Sequence, residues 1–114
     1  MSPRKDDARL AREFVAEAEE ILDRAGETLA GIETTREETP PEAINAFFRS
    51  VHSLKGLAGM VGLTGVGDAA HAFEALLDAV RMGRAPLDAL TRAAAAEGLA
   101  ALSGLVKRVA AGEP

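Results

Sequence analysis

Two histidines, His52 and His71, are the residues of this chain best suited to do chemistry. An imidazole nitrogen can serve as a nucleophile, a general base or a metal ligand near neutral pH. The 114-residue sequence contains no cysteine, which excludes disulfides, thiol catalysis and cysteine-ligated metals. What either histidine can do therefore depends on the residues placed beside it.

The residues around His52 indicate an exposed position. On a helical wheel its side chain lies about 120° from the centre of the apolar stripe, outside the expected core. Arg49, Gly56 and Gly59 share one line of the helix surface with His52. Glycine weakens a helix, so two glycines on that line need a reason. They either leave room for a partner above His52 or allow tight packing against a neighbouring helix, and periodicity leaves both interpretations open.

Lys55 and Glu74 could give His52 a chemical role. Lys55 follows His52 by three residues on the same face, where its ammonium group would offset the charge of a phosphoryl group on the imidazole. On the next predicted helix, His71 and Glu74 are three residues apart, near the edge of the apolar stripe. If that edge faces His52, Glu74 can accept a hydrogen bond from Nδ1–H of His52, which fixes the tautomer and leaves the Nε2 lone pair free as a nucleophile.

The elements that must position these residues are helices. Helix-forming Ala and Leu are frequent and aromatic residues make up only 4% of the chain, which favours an all-α fold with an aliphatic core. Apolar residues recur at steps of three and four, without any period-two segment that would indicate a strand. Four helices are predicted, at approximately 7–33, 41–61, 65–82 and 86–111. With short connections they predict an antiparallel up-down four-helix bundle, a single domain over residues 1–114.

Turn and cap signals separate the predicted helices. Pro41 and Pro86 suit the first turns of the second and fourth helices. Thr64 is the predicted N-cap of the third helix, and Gly83 the left-handed residue that ends it. The predicted core is Leu10, Phe14, Ala18, Ile21, Leu22, Ala25, Leu29, Ile32, Ile44, Phe47, Phe48, Val51, Leu54, Ala58, Val61, Val66, Ala69, Ala70, Phe73, Leu76, Leu77, Val80, Leu87, Leu90, Ala94, Leu102, Leu105 and Val109.

Charge and hydropathy narrow the possible partners and location. The net charge of −5 argues against a nucleic-acid partner, which would require a basic face. The longest apolar run, from Gly98 to Val106, is far shorter than the ~20 residues of a membrane span. The first residues carry mixed charge and do not resemble a signal peptide. We therefore expect a cytoplasmic protein with no membrane contact, monomeric because its outer faces are polar.

Residues 48–63, FRSVHSLKGLAGMVGL, resemble the phosphorylation-site helix of histidine phosphotransfer (HPt) domains. The closest likeness is to the N-terminal domain of CheA-type chemotaxis histidine kinases, whose pattern His-Ser-x-Lys-Gly-x-Ala-Gly stands here at residues 52–59. Downstream, residues 71–83 contain the expected His and Glu, then Leu-Leu-Asp, Arg and Gly. The detailed likeness covers residues 44–83. Leu57 departs from it, standing where a small residue is frequent, and the following residues lack the usual aromatics.

The resemblance implies a role for each residue of the site. His52 would be the phosphoryl acceptor at Nε2, Glu74 would bind its Nδ1, and Lys55 would stabilise the phosphoryl charge. His71 would lie close by as a supporting polar residue. The surface approached by a partner would comprise Arg49, Gly56 and Gly59.

The resemblance also implies which other proteins take part. A histidine kinase catalytic domain would supply the phosphoryl group, and the receiver domain of a response regulator would remove it onto an aspartate. The sequence contains neither a Gly-rich nucleotide loop nor an Asn-rich catalytic box, so ATP and Mg²⁺ belong to the kinase domain and this chain needs no cofactor. It is then a phosphoryl carrier, not an enzyme. A domain of a longer kinase and a free-standing carrier both remain open.

Two other functions are consistent with a helical bundle. His52, His71 and Glu74 form the one plausible set of metal ligands, although bundle metal sites usually use more inward-facing carboxylates. A degenerate phosphotransfer domain that only docks partners, with His52 chemically silent, is the second alternative. The presence of Lys55 and Glu74 in the sequence argues against this purely docking role.

Overall fold

The computed structural model of the protein contains four helices and, within the residues that it describes, no strand. The helices are α1 (Pro3–Thr34), α2 (Pro41–Met60), α3 (Thr64–Arg81) and α4 (Ala89–Ala110). α1 packs against α2 and α4, and α3 packs against the same two helices, so the four helices form a closed ring. This architecture confirms the predicted all-α four-helix bundle. The backbone described comprises residues 3–34, 41–84 and 88–112, and the side chains described are those of residues 8–31, 42–84 and 88–112.

A tight turn joins α2 to α3. Gly62 has a φ of 73°, a left-handed conformation that is strained for residues with a side chain. The amide of Leu63 donates to the carbonyl of Ala58 at 2.9 Å, which closes the six-residue loop of a Schellman motif. Because the chain reverses within three residues, α2 and α3 run side by side. This hairpin brings His52 and Glu74 together although they are 22 residues apart.

The two ends of α3 agree only in part with the predictions. Gly83 has a φ of 78° and follows the last helical turn, as predicted. The prediction that Thr64 is the N-cap is wrong, because Leu63 occupies that position without a side-chain cap bond and Thr64 is already helical. As the N-cap, Leu63 accepts the first hydrogen bond of α3 at its carbonyl, from the amide of Gly67 at 3.0 Å.

α4 begins later than predicted. Its first helical residue is Ala89, and its N-cap is Asp88, whose Oδ1 accepts the amide of Thr91 at 2.9 Å. The start predicted at Pro86 lies outside the described residues, as does Leu87. An aspartate that satisfies a first-turn amide is a stronger start signal than a proline, which can only tolerate the position.

The core lies between the four helices and is aliphatic apart from three phenylalanines. Phe47 of α2 and Phe73 of α3 meet edge to face with ring centroids 5.5 Å apart. Gly98 of α4 lies against Phe73, since a Cβ there would be 3.1 Å from the ring, so this glycine allows α3 and α4 to approach closely. The buried residues are Phe14, Ala18, Ile21, Leu22, Ala25, Leu29, Ile44, Phe47, Val51, Leu54, Ala58, Val66, Ala70, Phe73, Leu77, Ala95, Leu102 and Val106.

Two predicted core residues are exposed. Leu10 is 43% exposed, and Leu90 is 80% exposed at the start of α4. The buried residues of α4 are Leu102, as predicted, together with Ala95 and Val106, while the predicted Leu105 and Val109 are half-buried. The run of alanines early in α4 is apolar on every side, so periodicity alone does not determine which face turns inward. Ile32, also predicted to be buried, lies outside the described side chains.

α4 is also the one helix of the described residues that is long and apolar enough to cross a membrane by length and composition. A helix that packs in a bundle meets the same criterion. Here α4 packs against both α1 and α3.

Candidate functional site

His52 stands on the outer face of α2, where its side chain is 61% exposed. Its Nδ1 lies 2.6 Å from Oε2 of Glu74 on α3. A carboxylate can only accept, so this short bond assigns the proton of a neutral imidazole to Nδ1. The lone pair then remains on Nε2, the nitrogen that does not face Glu74.

Glu74 binds a second group on α2. Its Oε1 accepts a hydrogen bond from Nζ of Lys55 at 2.9 Å, and its side chain is only 14% exposed. Burial raises the pKa of Glu74, but the hydrogen bonds and charges of Lys55 and His52 outweigh it and hold that pKa below its ordinary value. Glu74 therefore stays ionised at neutral pH and remains an acceptor for both α2 residues.

A second set of contacts reaches His52 through Phe48. The Phe48 and His52 rings stand one helical turn apart, with centroids separated by 6.1 Å and planes inclined by 11°. The guanidinium carbon of Arg81, at the end of α3, lies 4.2 Å from the centroid of the Phe48 ring. Asp78 accepts hydrogen bonds from Arg81 at 2.8 Å and from Arg84 at 3.2 Å. These contacts form a continuous connection from the loop after α3 to the histidine.

Sequence reasoning assigned Phe48 to the core and did not connect it with His52. The ring is in fact half-buried, so one side packs inward and another remains available. The spacing of four residues was the signal that could have suggested the contact. Nothing in the sequence pattern indicates that Arg81 reaches Phe48, because that contact depends on the alignment of two helices.

The glycines beside His52 face open space. A Cβ added at Gly56 or Gly59 would meet no atom within 4 Å. The alternative that they allow close helix packing therefore has no support at these positions. Arg49 is exposed on the same side of α2, and Met60, just beyond the glycines, is 84% exposed.

His71 is not brought into this cluster. It is exposed on α3 and makes no hydrogen bond or ion pair with the described part of the chain. Its predicted supporting role stays a prediction. Among the side chains that the structure describes, no three His, Asp or Glu residues are grouped as metal ligands would be.

Comparison with known proteins assigns the class. Residues 9–112 match the Hpt domain family, which is nearly the whole chain. The chain therefore belongs to this family and is a histidine phosphotransfer domain, as the sequence resemblance predicts. The four-helix ring and the exposed histidine are both in keeping with that assignment.

The related proteins are chemotaxis and motility regulators. The chain is 39% identical over 84 residues to the chemotaxis protein CheA of Cereibacter sphaeroides, which covers 73% of this chain and 12% of that protein. It is 54% identical over 44 residues to CheA of Rhizobium meliloti, covering 39% of this chain and 6% of the relative. A gliding motility regulatory protein of Myxococcus xanthus is 31% identical over 87 residues, 75% of this chain and 11% of that protein. The chain thus spans a small part of these proteins' lengths.

Solved structures share the architecture. The CheA phosphotransferase domain of Thermotoga maritima matches with a TM-score of 0.81 at 27% identity, covering 90% of this chain and 96% of that one. The phosphorylated P1 domain of CheA3 of R. sphaeroides, solved in complex with CheY6, matches with a TM-score of 0.80 over 93% of this chain and 82% of that one. At 22% identity the second likeness concerns the fold alone.

Proposed function

We propose that His52 is the phosphoryl acceptor of this domain and that Nε2 forms the bond to phosphorus. The observation that carries the proposal is the 2.6 Å contact between His52 Nδ1 and Glu74 in a ring that is 61% exposed. The contact holds the proton on one nitrogen, and the exposure leaves the other within reach of a second protein.

In the proposed reaction this chain contributes the side chains of His52, Glu74 and Lys55. The Nε2 lone pair attacks the γ-phosphorus of ATP, the bond from that phosphorus to the bridging oxygen breaks, and ADP leaves. The Nδ1 proton stays in its hydrogen bond, and the positive charge that develops on the ring is offset by the carboxylate of Glu74. An aspartate of the next protein then attacks phosphorus, and the N–P bond breaks with its electron pair returning to Nε2.

Lys55 has two functions in this proposal. Its hydrogen bond to Glu74 favours the ionised carboxylate that His52 requires. Its ammonium group, on the same helix face as His52, also lowers the electrostatic cost of a phosphoryl group on the ring. His71 supports the site from one turn away on α3, although it makes no hydrogen bond or ion pair with the described residues.

The donor in this proposal is a histidine kinase catalytic domain that holds ATP and Mg²⁺, and the acceptor is the receiver domain of a response regulator. The complex of the CheA3 P1 domain with CheY6 supports the second pairing. Both partners would approach over Gly56 and Gly59, where no side chain intervenes, with Arg49 at the edge.

The wider setting also belongs to the proposal. Residues 1–114 form one monomeric domain that acts in the cytoplasm, away from membranes and nucleic acid. It serves either as the phosphotransfer domain of a CheA-like kinase or as a free-standing carrier. The likeness to a segment of much longer CheA proteins favours the kinase.

The test is phosphorylation of the chain by a CheA catalytic domain with ATP labelled at the γ-phosphate. We expect acid-labile, base-stable label on the wild type and none on the His52→Gln variant. The matched control is His71→Gln, which removes the other histidine and should still incorporate label because it retains His52. Label on His52→Gln would refute the assignment, and an unlabelled wild type would favour a silent docking module.

A further inference from the structure

We infer that Phe48, held in place by Arg81, is a positioning residue that fixes the plane of the His52 imidazole. The inference rests on the proposed function of His52 and extends it to residues outside the polar cluster. It gives a function to the contacts that connect Arg81, at the end of α3, with His52 through the Phe48 ring.

The hydrogen bond to Glu74 restrains only one point of the imidazole. It places Nδ1 2.6 Å from Oε2, but the ring can still tilt about the line joining these two atoms. Rotation about the last bond of a histidine side chain has broad minima, and a ring that is 61% exposed receives little restraint from packing. The direction of the Nε2 lone pair therefore requires a second contact.

Phe48 provides that contact at the face of the ring. Its ring lies nearly parallel to the imidazole, at 11°, with the centroids 6.1 Å apart. This separation is within the range in which offset aromatic pairs attract each other. One contact at the edge of the imidazole and one at its face together determine a plane, and hence the direction of Nε2.

Arg81 restrains Phe48 in turn. Its guanidinium group lies over the Phe48 ring at 4.2 Å, well within the distance of a cation–π interaction. Arg81 is itself fixed by Asp78, which accepts its hydrogen bond at 2.8 Å and a further one from Arg84 at 3.2 Å. The hydrogen bond from Arg81 is the main cause of the lowered pKa of Asp78, so this carboxylate is charged at neutral pH. α2 and α3 are therefore joined on both sides of the histidine.

A fixed plane matters because phosphoryl transfer is sensitive to alignment. The attacking nitrogen, phosphorus and leaving oxygen must come close to a line, and a nucleophile already held in the right direction reacts faster. Loss of Phe48 should consequently lower the maximal rate of phosphorylation and leave the affinity for the kinase unchanged. A residue that acts only through docking would change KM instead.

The experiment compares Phe48→Leu, Phe48→Tyr, Arg81→Gln and the double variant Phe48→Leu/Arg81→Gln. Leu105→Ala, a truncation of a half-buried residue on α4, is the control for a general loss of packing. Two properties are measured: kcat and KM for phosphorylation of His52, and the NMR order parameters of the ring C–H bonds of His52 in the isolated domain. The order parameters report how tightly the orientation of the ring is fixed, and they require no kinase.

We expect Phe48→Leu to lower kcat by about 3- to 10-fold at unchanged KM, and to lower the order parameters of the His52 ring. Phe48→Tyr, which keeps the ring, should stay within about twofold of the wild type. Arg81→Gln should act in the same direction as Phe48→Leu, and the double variant should be no slower than Phe48→Leu alone, because Arg81 acts through Phe48.

Three results would overturn the inference: unchanged ring order parameters in Phe48→Leu, a kcat no lower than that of Leu105→Ala, or independent effects of Phe48 and Arg81 in the double variant. If the wild type takes up no phosphate on His52, the proposed function fails instead. The ring order parameters still decide in that case whether Phe48 positions the histidine.

Discussion

At the level of single residues, one carboxylate connects the two groups of α2 that define the site. Oε2 of Glu74 contacts His52 and Oε1 contacts Lys55, so the carboxylate uses both oxygens and is largely withdrawn from solvent. Its charge is essential to both contacts. A neutral amide of the same shape would retain one acceptor oxygen and lose the ionic attraction to Lys55.

The Glu74→Gln variant should therefore slow phosphorylation of His52. We expect a decrease in rate of about 10-fold or more, the range typical of residues that orient a reactive or metal-binding histidine. Circular dichroism should show the same helix content as in the wild type. A rate equal to that of the wild type would mean that Glu74 does not orient the acceptor.

Acid should weaken the contacts of Glu74 with His52 and Lys55. Burial raises the pKa of Glu74, but the bonds from Lys55 and His52 bring it below the ordinary value of 4.5. A group whose pKa is lowered by folding stabilises the folded chain fully above its unfolded pKa, and this contribution is lost as the pH falls through the folded pKa. The free energy of unfolding should accordingly decrease below about pH 4.5.

Denaturant titrations between neutral pH and pH 3 would test this. Glu74→Gln should show a shallower decrease than the wild type, whereas Glu17→Gln, which removes an exposed carboxylate of α1, should follow the wild type. Parallel curves for wild type and Glu74→Gln would contradict the expectation.

The pairing of His52 with Glu74 was predictable only in part. The helical spacing placed each residue near the edge of its own helix, but whether those edges meet depends on the turn at Gly62 and on the alignment of α2 with α3. The family resemblance supplied that missing step. The contact between Phe48 and Arg81 was missed because neither spacing nor resemblance indicated it.

At the level of elements, the site is confined to one hairpin. The residues in contact lie on α2, on α3 and in the turn that follows α3, and none of the side chains described on α1 and α4 takes part. Most of this hairpin was predictable, because each helix has a distinct apolar stripe and glycines mark both ends of α3. The inward face at the start of α4 was predicted incorrectly at Leu90, since the alanine run there gives no stripe to follow, whereas Leu102 is buried as predicted.

A substitution at a glycine of α2 should raise the free energy of unfolding and lower the rate of phosphoryl transfer. Gly56→Ala should stabilise the chain by up to ~1 kcal/mol, because alanine favours helix and its Cβ meets no atom within 4 Å. Under the proposed function the same methyl group would stand on the surface that a partner covers, so phosphoryl transfer should become slower.

Gly104→Ala is the matched control for this variant. Gly104 also lies within a helix and faces open space, but on α4, away from the site. It should give a similar gain in the free energy of unfolding with an unchanged transfer rate. If Gly56→Ala also leaves the rate unchanged, the surface above Gly56 is not where partners dock.

At the level of the whole molecule, α1 and α4 support the reactive hairpin from the opposite side. Leu102 and Val106 of α4 are 1% exposed and form part of the shared core. The stability of the domain therefore depends on all four helices, while its chemistry depends on two.

Leu102→Ala should lower the free energy of unfolding without changing the rate at which the folded domain is phosphorylated. Removal of a fully buried leucine typically costs about 2–5 kcal/mol, so the variant should unfold at a clearly lower denaturant concentration. Below its unfolding transition, the rate of phosphorylation per folded molecule should equal that of the wild type. A slower rate in the folded variant would mean that α4 influences the geometry of the site.

The open surface beside His52 has a further consequence for recognition. If partners dock over Gly56 and Gly59 as proposed, they meet helix backbone there, which has the same shape and chemistry in any protein. Such a surface would accept first a phosphoryl donor and then a phosphoryl acceptor without distinguishing between them. Discrimination must then come from the border, where Arg49 presents a charge and Met60 an exposed apolar side chain. Exchanging these two residues between related domains should change which partner proteins exchange a phosphoryl group with the domain, while His52 remains the proposed acceptor.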